Sequence, residues 1–398
     1  MRIAVDGRVL SAPPAGVTHY ARCLIDEMAR DQSNRWVIIA PGPLSVEIAD
    51  FPNIEVKTGE ILKSFLHIPW QQTFLPLAVV REKPDIFWSP HHFLPPLPGG
   101  IPMVVTIHDL VWAVFPRDMR LVRRLAESVL MPAAVRRAAR VIAVSNATAG
   151  DLLRYIPRSR GKVDVIHEAP VPLMEEAPPT AGAGRTDVPG AAPQIPGIDS
   201  PIDAGSGSAV SSIGGAPYVL FVGSTHRRKN LRGLLRAYAR LPEDLKMTYK
   251  LVVAGADAWG GDIRKTIREC GLAGRVLRTG YVGRAELSAL YRGASAFIMP
   301  SLMEGFGLPI LEAMSCGVPV LTSDCTALSE TAGDAALKVN PRSDAEISAG
   351  LIRILTDEAL RRTLVSRGRA RVAEFSWRKA ADETLAVFHA ALSKNRTG

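Results

Sequence analysis

The feature that most constrains this chain is a repeated alternation. Short apolar runs of strand length are each followed by a longer segment with helical spacing, through nearly all of the 398 residues. Strands separated by helices cannot close into hairpins, so they lie parallel with helices covering the sheet faces. In the first half the strand candidates are Ile3–Val5, Trp36–Ala40, Ile54–Lys57, Ile86–Ser89, Met103–Ile107, Val141–Val144 and Val163–His167. The second half repeats the scheme with Tyr218–Val222, Lys250–Ala254, Val276–Thr279, Ala296–Met299 and Val318–Thr322. A chain of 398 residues exceeds one hydrophobic core, which makes two α/β domains the expectation.

Between the halves, residues 175–216 are dominated by Pro, Ala, Gly and Ser and carry no periodicity. Such a stretch buries too little apolar area to offset its ordering entropy, so a flexible linker or insertion is expected there. After Phe375-Ser-Trp377, the residues Ala381, Leu385, Phe388 and Leu392 recur at helical spacing. The expected divisions are 1–174, 175–216, 217–375 and a terminal helix in 376–398.

Hydrophobic residues make up 47% and charged residues 22%, an ordinary globular balance. No apolar run reaches the roughly 18–20 residues needed to span a bilayer, and the N-terminus opens on strand-like Arg2–Val5, so a cytoplasmic protein is expected. Cys23, Cys270, Cys316 and Cys325 show no paired spacing, which suits a reducing compartment and argues against structural zinc. The net charge is +9, with Arg117, Arg120, Arg123, Arg124, Arg136, Arg137 and Arg140 gathered around a helical pattern. That pattern fits either a solvated helix face or peripheral contact with the anionic inner face of a membrane. Nucleic acid is not expected, because no aromatic residues interleave the basic ones.

Ligands of open α/β sheets bind beyond the carboxyl ends of the strands. The most specific run there is Glu304-Gly305-Phe306-Gly307-Leu308-Pro309-Ile-Leu-Glu312, directly after an apolar strand. Its glycines let backbone approach a ligand, Pro309 suits a helix start, and free amides at that start favour a phosphate. At Gly223-Ser224-Thr-His-Arg227-Arg228-Lys229-Asn230 a glycine turn leads into cations at the start of a helix, where the dipole disfavours them. Their position makes sense if they neutralise a diphosphate. Gly280-Tyr281-Val282 follows another strand and can border a base through backbone groups. In the first half, the loop Pro13-Pro14-Ala15-Gly16 has no GxGxxG fingerprint, which weakens a dehydrogenase reading. His91-His92 and His108-Asp109 also follow strands; a His oriented by a carboxylate can donate to a ligand. No histidine spacing marks a metal site.

Together these runs resemble the retaining GT-B glycosyltransferases of glycosyltransferase family 4, over almost the whole chain. The Glu-x7-Glu of Glu304 and Glu312 carries most of the resemblance, followed by the run ending Arg228-Lys229-Asn230. It implies two Rossmann-like domains facing each other across a cleft, with the C-terminal helix returning to pack on the N-terminal, acceptor-side domain. It further implies that Arg228 and Lys229 hold the donor diphosphate, that Tyr281 and Val282 border the base, and that Glu312 binds the ribose. Glu304 and the amides of Gly305, Phe306, Gly307 and Leu308 would approach the donor sugar, His108 would contact sugar or phosphate, and the Gly16 loop would lie near the phosphates and acceptor. Many relatives place an Arg where this chain has Ser224, so fewer positive charges would meet the diphosphate.

The expected activity is metal-independent, retaining transfer of a hexosyl group, mannosyl or deoxyhexosyl, from a nucleoside-diphosphate sugar to a glycan or lipid-linked acceptor. His108, Lys229 and Glu304 would carry the chemistry, with a GDP-sugar favoured over a UDP-sugar and no further cofactor. A sugar-nucleotide epimerase or phosphorylase, and a non-catalytic nucleotide-sugar-binding protein, remain alternatives.

Overall fold

The computed structural model of the chain describes residues 1–59, 67–98, 100–171, 213–257 and 263–396. In the first domain the strands are β1 (Arg2–Asp6), β2 (Arg35–Ala40), β3 (Ile54–Thr58), β4 (Ile86–Ser89), β5 (Met103–Ile107), β6 (Arg140–Ala143) and β7 (Val163–Val165). They alternate with α1 (Gly16–Met28), α2 (His67–Glu82), α3 (Val111–Val114), α4 (Leu121–Arg137) and α5 (Asn146–Tyr155). All seven strands are parallel, in the order β3-β2-β1-β4-β5-β6-β7.

The second domain contains β8 (Tyr218–Val222), β9 (Lys250–Ala254), β10 (Val276–Gly280), β11 (Ala296–Met299), β12 (Val320–Ser323) and β13 (Ala336–Val339). Its helices are α6 (Leu231–Ala239), α7 (Glu243–Thr248), α8 (Arg264–Glu269), α9 (Arg284–Gly293), α10 (Leu308–Ser315), α11 (Thr326–Ala332), α12 (Asp344–Thr356) and α13 (Glu358–Val372). The parallel order here is β10-β9-β8-β11-β12-β13. Central strands such as β1, β5, β8 and β11 are buried almost throughout, because helices cover both sheet faces. In each sheet the order reverses beside the first strand, between β1 and β4 and between β8 and β11, and the loops leaving these strands open a crevice.

The last helix, α14 (Trp377–Arg396), leaves the second domain and covers the first. Trp377 meets Tyr20 of α1 edge-on at 6.0 Å, Phe388 lies 5.9 Å from Trp88 of β4, and the Trp377 indole N–H donates to Pro170 O at 3.1 Å. These aromatics extend one apolar core through both domains.

The strands lie where the alternation placed them, with one addition. β13 escapes a search for apolar runs because it is four residues long and carries Lys338. The α10 helix begins at Leu308, which puts Pro309 second rather than first. The expected flexible segment 175–216 lies largely outside the described residues. Its last residues are described, however, and Ile213 is buried, with Lys250 Nζ donating to its carbonyl at 3.1 Å, so the second domain starts before Ala216.

The two domains meet through backbone. A Cβ added to Gly305 would stand 1.8 Å from the carbonyl oxygen of His108, so only glycine permits this approach. Ser145, capping α5, donates its hydroxyl to Gly305 O at 2.6 Å; Thr148 Oγ1 lies 3.1 Å from His108 O and 3.2 Å from Gly305 O. Beside this joint, Glu330 of α11 accepts from the Asn146 and Ala147 amides of α5 at 2.9 and 3.1 Å and contacts His167 Nε2 at 2.7 Å. The carboxylate thus crowns the positive end of a helix from the other domain.

Two predictions follow from this joint. Gly305→Ala should hold the domains apart, raising the radius of gyration in solution scattering and speeding hydrogen exchange at Asn146–Thr148; an unchanged scattering curve would refute it. Although burial opposes it, bonding to His167, Asn146 and Ala147 pulls the Glu330 carboxyl from 4.5 to about 2. A depressed carboxyl pKa stabilises above its unbound value and loses that contribution as pH falls from about 4.5 through 2, an effect of about 1–2 kcal/mol after allowance for solvent exposure. Acid titration of thermal stability should show this loss, and Glu330→Gln should flatten the profile in that window.

Candidate active site between the two domains

The crest of the second sheet presents the cations. After β8 the chain turns at Gly223, whose carbonyl lies 2.3 Å from where a Cβ on Gly255 would stand, so the two strand ends close together. Arg227, Arg228 and Lys229 then form a single 3-10 turn, and Asn230 ends it in the left-handed conformation, φ 56°. Asn230 fixes that turn by donating its side-chain amide to Pro300 O at 3.1 Å and Pro341 O at 2.6 Å. The cationic residues therefore precede α6 rather than occupying it.

Glu304, in the loop after β11, receives both of them. Arg228 Nη1 lies 3.0 Å from Oε2, and Lys229 Nζ lies 2.6 Å from Oε1. The carboxylate is 8% exposed. Its burial alone would favour the neutral acid, but Lys229 and Arg228 outweigh that and hold its pKa below the usual value. For Lys229 the balance is reversed, since burial outweighs Glu304 and lowers the ammonium pKa. Two cations share this one buried carboxylate, and the carboxylates of Asp109 and Asp118 in the first domain also act on Arg228.

The first domain faces this cluster. Asp118 Oδ2 accepts from the Arg228 backbone N–H at 2.8 Å across the interface. His108, at the end of β5, is buried with Nδ1 3.0 Å from Glu168 Oε1 and Nε2 2.9 Å from Pro90 O. Two acceptors on one ring require two N–H donors, an imidazolium. Burial opposes that charge, but the bonded Glu168 carboxylate wins and raises the pKa. His92 Nε2 accepts from the His108 backbone N–H at 3.1 Å and stacks on His91 with ring centres 4.1 Å apart. Desolvation by burial holds both rings neutral, His92 down to about 3. Arg8, buried behind Asp6, reaches His91 Nδ1 at 3.4 Å. Gly16 starts α1 with open space over its Cα, and His19 one turn later feels the positive field of Arg284 from the opposing domain.

The remaining sequence candidates are placed unequally. Glu312 lies in α10 with Oε1 2.8 Å from Arg284 Nη1 and Oε2 accepting from the buried Tyr291 hydroxyl at 3.0 Å. Its outer lone pairs alone remain for a ligand. Gly307 caps α10 in a left-handed conformation, φ 108°, and Leu308 is half-buried. Phe306 points into the domain joint, 5.6 Å from Phe375 and 5.9 Å from His167. Tyr281 is 69% exposed, Val282 is half-buried beside it, and Ser224 stands half-buried at the mouth of the cationic turn.

Asp118, Glu168 and Arg284 are the site residues that sequence reasoning missed. Glu168 does stand in the run Val165-Ile-His-Glu168, directly after β7, and its position beyond a strand end was the available signal. Asp118 lies after a helical segment and carries no local mark, whereas Arg284 opens α9 four residues beyond the end of β10, so the strand-end signal was available for it too.

Residues 14–169 match the Glycosyltransferase Family 4 domain, and residues 208–371 match the Glycosyl transferases group 1 domain. The chain is 42% identical over 172 residues to O-antigen chain mannosyltransferase B of Escherichia coli, a stretch covering 43% of this chain and 45% of that protein. The matched stretch thus spans less than half of that relative's length. Identity to the 2-deoxystreptamine glucosyltransferase of Streptomyces kanamyceticus is 28% over 303 residues, 75% of this chain and 73% of the other. Among solved structures, sucrose-phosphate synthase from Thermosynechococcus elongatus superposes with a TM-score of 0.71 at 20% identity, over 99% of this chain and 100% of that one, a likeness of fold. With one family domain matched in each half and both halves folded as facing parallel α/β units, the chain belongs to the GT-B glycosyltransferases of family 4.

Proposed function

We propose that this protein moves a hexosyl group, mannosyl or deoxyhexosyl, from a nucleoside-diphosphate sugar to a glycan or lipid-linked acceptor with retention of configuration. The observation that carries the reading is the buried Arg228-Lys229-Glu304 cluster at the second domain's switch point, faced by His108 and the start of α1. Departure of a nucleoside diphosphate builds charge on phosphate oxygens, and two preorganised cations of lowered solvation stabilise that charge without a metal ion. In the free protein Glu304 pairs with both; a bound diphosphate takes its place, and the released carboxylate turns to the hydroxyls of the donor sugar. The sugar C1–O bond breaks, the acceptor oxygen bonds to C1 from the same face, and its proton passes to the departing phosphate. Glu304 makes no covalent bond to the sugar.

In this reading Glu312 offers its outer lone pairs to the ribose, Tyr281 and Val282 border the base, and the amides of Gly305–Leu308 with Ser224 line the phosphate and sugar path. His108 donates to the donor when its Nε2–H exchanges Pro90 O for a ligand oxygen. The mannosyl assignment is supported by the 42% identity to the mannosyltransferase over 172 residues of this chain. A GDP-sugar, rather than a UDP-sugar, follows from that assignment.

A cytoplasmic protein meeting the inner face of a membrane is part of the proposal. On α4, Leu121, Val122, Leu125 and Val129 are 66, 81, 57 and 66% exposed, flanked by the exposed Arg117, Arg120 and Arg124. Glu127, the acid of that helix, is buried and paired with Arg123 at 2.9 Å, so the apolar stripe is rimmed by cations. Among the described residues no helix is long and apolar enough to cross a membrane. This face suits an anionic lipid surface on which a lipid-linked acceptor would be presented.

The first test is thermal shift against UDP, GDP, ADP and their sugars, where a ligand at about 100 times its Kd stabilises by about 2.7 kcal/mol. No response to any of them would remove the reading. Lys229→Ala should lower transfer turnover by about one to three orders of magnitude with donor still bound; wild-type turnover would show that Lys229 stabilises no leaving charge. Each arginine near an anionic surface contributes about 1 kcal/mol, so replacing Arg117, Arg120 and Arg124 by Gln should weaken co-sedimentation with phosphatidylglycerol vesicles by about two orders of magnitude. Equal recovery on neutral and anionic vesicles would count against the membrane face.

A further inference from the structure

A second cavity, of about 460 Å³, lies beside the cation cluster and is used by none of the roles assigned above. One wall is Val114 and Phe115 of the first domain; the other is built at the carboxyl ends of β12 and β13 by Asp324, Thr326 and Asn340, with Leu302 of the β11 loop between them. Both walls are tied to the active site. Leu302 donates its N–H to the carbonyl of Arg228 at 2.7 Å and stands two residues before Glu304. Phe115 opens the turn whose Asp118 grips the Arg228 amide.

From this placement we infer that the cavity is a subsite for the acceptor glycan, holding uncharged sugar units beyond the one that receives the transferred hexose. The inference rests on the transferase reading and names the position of its second substrate. Sheet order gives the direction: base contacts at β10, phosphate contacts at β8 and β11, and then β12 and β13 farther along the same crest. Strands lie about 4.8 Å apart, so β13 is about 10 Å beyond β11, room for one or two hexose units past the reacting sugar.

The lining matches an uncharged polyol better than a nucleotide. Two carboxylates, Asp324 and Glu346, are set against two cations, Lys338 and Arg342, so the walls carry no net charge for a phosphate. Apolar side chains that include the Phe115 ring, a few polar groups from Asp324, Thr326 and Asn340, and a volume within about 300–1,000 Å³ are the make-up of a small-molecule site. The polar wall is also held in place. Asn340 Oδ1 accepts from the Arg342 N–H at 3.0 Å, and Asp324 Oδ1 accepts from the Ser329 hydroxyl at 3.1 Å. Thr326 has φ 54°, a left-handed conformation that a β-branched residue seldom takes and that costs of order 1–3 kcal/mol. Such strain persists where the surroundings fix a residue against a ligand path.

The test measures binding of linear mannose, glucose, galactose and rhamnose oligosaccharides of one to four units to the protein saturated with GDP, by ligand-observed NMR and calorimetry. At least one series should bind more tightly with each added unit, and Phe115→Ala and Asp324→Ala should each weaken the longer members by tenfold or more while leaving the single sugar nearly as it was. Retained GDP thermal shift in both variants shows that they fold and keep the donor site; Thr326→Gly, which relieves the backbone, gives a third variant if either fails that control. The inference falls if affinity is independent of length, if no series binds the GDP-loaded protein, or if the variants bind every length like wild type. It falls equally if GDP or inorganic phosphate competes for the cavity. Failure of the transferase reading is distinguishable, because it appears as absence of any nucleotide response.

Discussion

A glycine without room for a side chain joins the two halves of this protein. The carbonyl of His108 occupies the space where a Cβ of Gly305 would stand, and Ser145 and Thr148 satisfy the Gly305 carbonyl from the first domain. The consequence reaches both sides of the contact. On one side, the residue preceding Gly305 is the carboxylate that gathers Arg228 and Lys229; on the other, His108 itself carries the charged ring. One backbone contact therefore sets the distance between the paired cations and the imidazolium opposite. A side chain at residue 305 would move them apart without altering either one chemically.

The electrostatics around that joint have one logic. The second domain brings two cations to one buried carboxylate, whose pKa they hold below the usual value, while burial lowers the Lys229 ammonium. In the first domain, Glu168 raises the pKa of His108, while His91 and His92 are kept neutral by burial. Arg228 and Lys229 are thus paired with Glu304, His108 with Glu168 and Arg284 with Glu312.

How much of this was legible in the sequence depended on how local each constraint is. The parallel strands were readable because apolar runs buried on both faces need no alternation, the Glu304–Glu312 run because its glycine turn and helix start follow a strand directly, and the Arg228-Lys229 run because cations before a helix contradict simple dipole preference. β13 was hidden by Lys338 and its four-residue length. Glu330, Asp118 and Arg284 were hidden for a different reason. Their partners lie 184, 110 and 28 positions away in Asn146, Arg228 and Glu312, and only Arg284, four residues beyond the end of β10, stood at a position that could have marked it. Glu312 shows the limit from the other direction. Its spacing marked it as a site residue, but not that Arg284 and Tyr291 already occupy both of its oxygens.

The terminal helix explains why the joint can be so small. The Gly305 contact, the Ser145 and Thr148 hydroxyls, the Asp118–Arg228 amide bond and the Glu330 cap are modest against the tumbling of two domains, and between independent bodies they would be transient. The α14 helix removes that independence by burying Trp377 and Phe388 against Tyr20 and Trp88, so its apolar anchor lies in the first domain while its chain begins in the second. Apolar burial tethers the domains without regard to direction, and the directional polar contacts at Gly305, Ser145 and Glu330 then choose the closed geometry. Tether and latch are chemically separate. Weakening the latch by acid or at residue 305 should open the cleft without parting the domains, which is the freedom that entry of one sugar substrate and exit of another require.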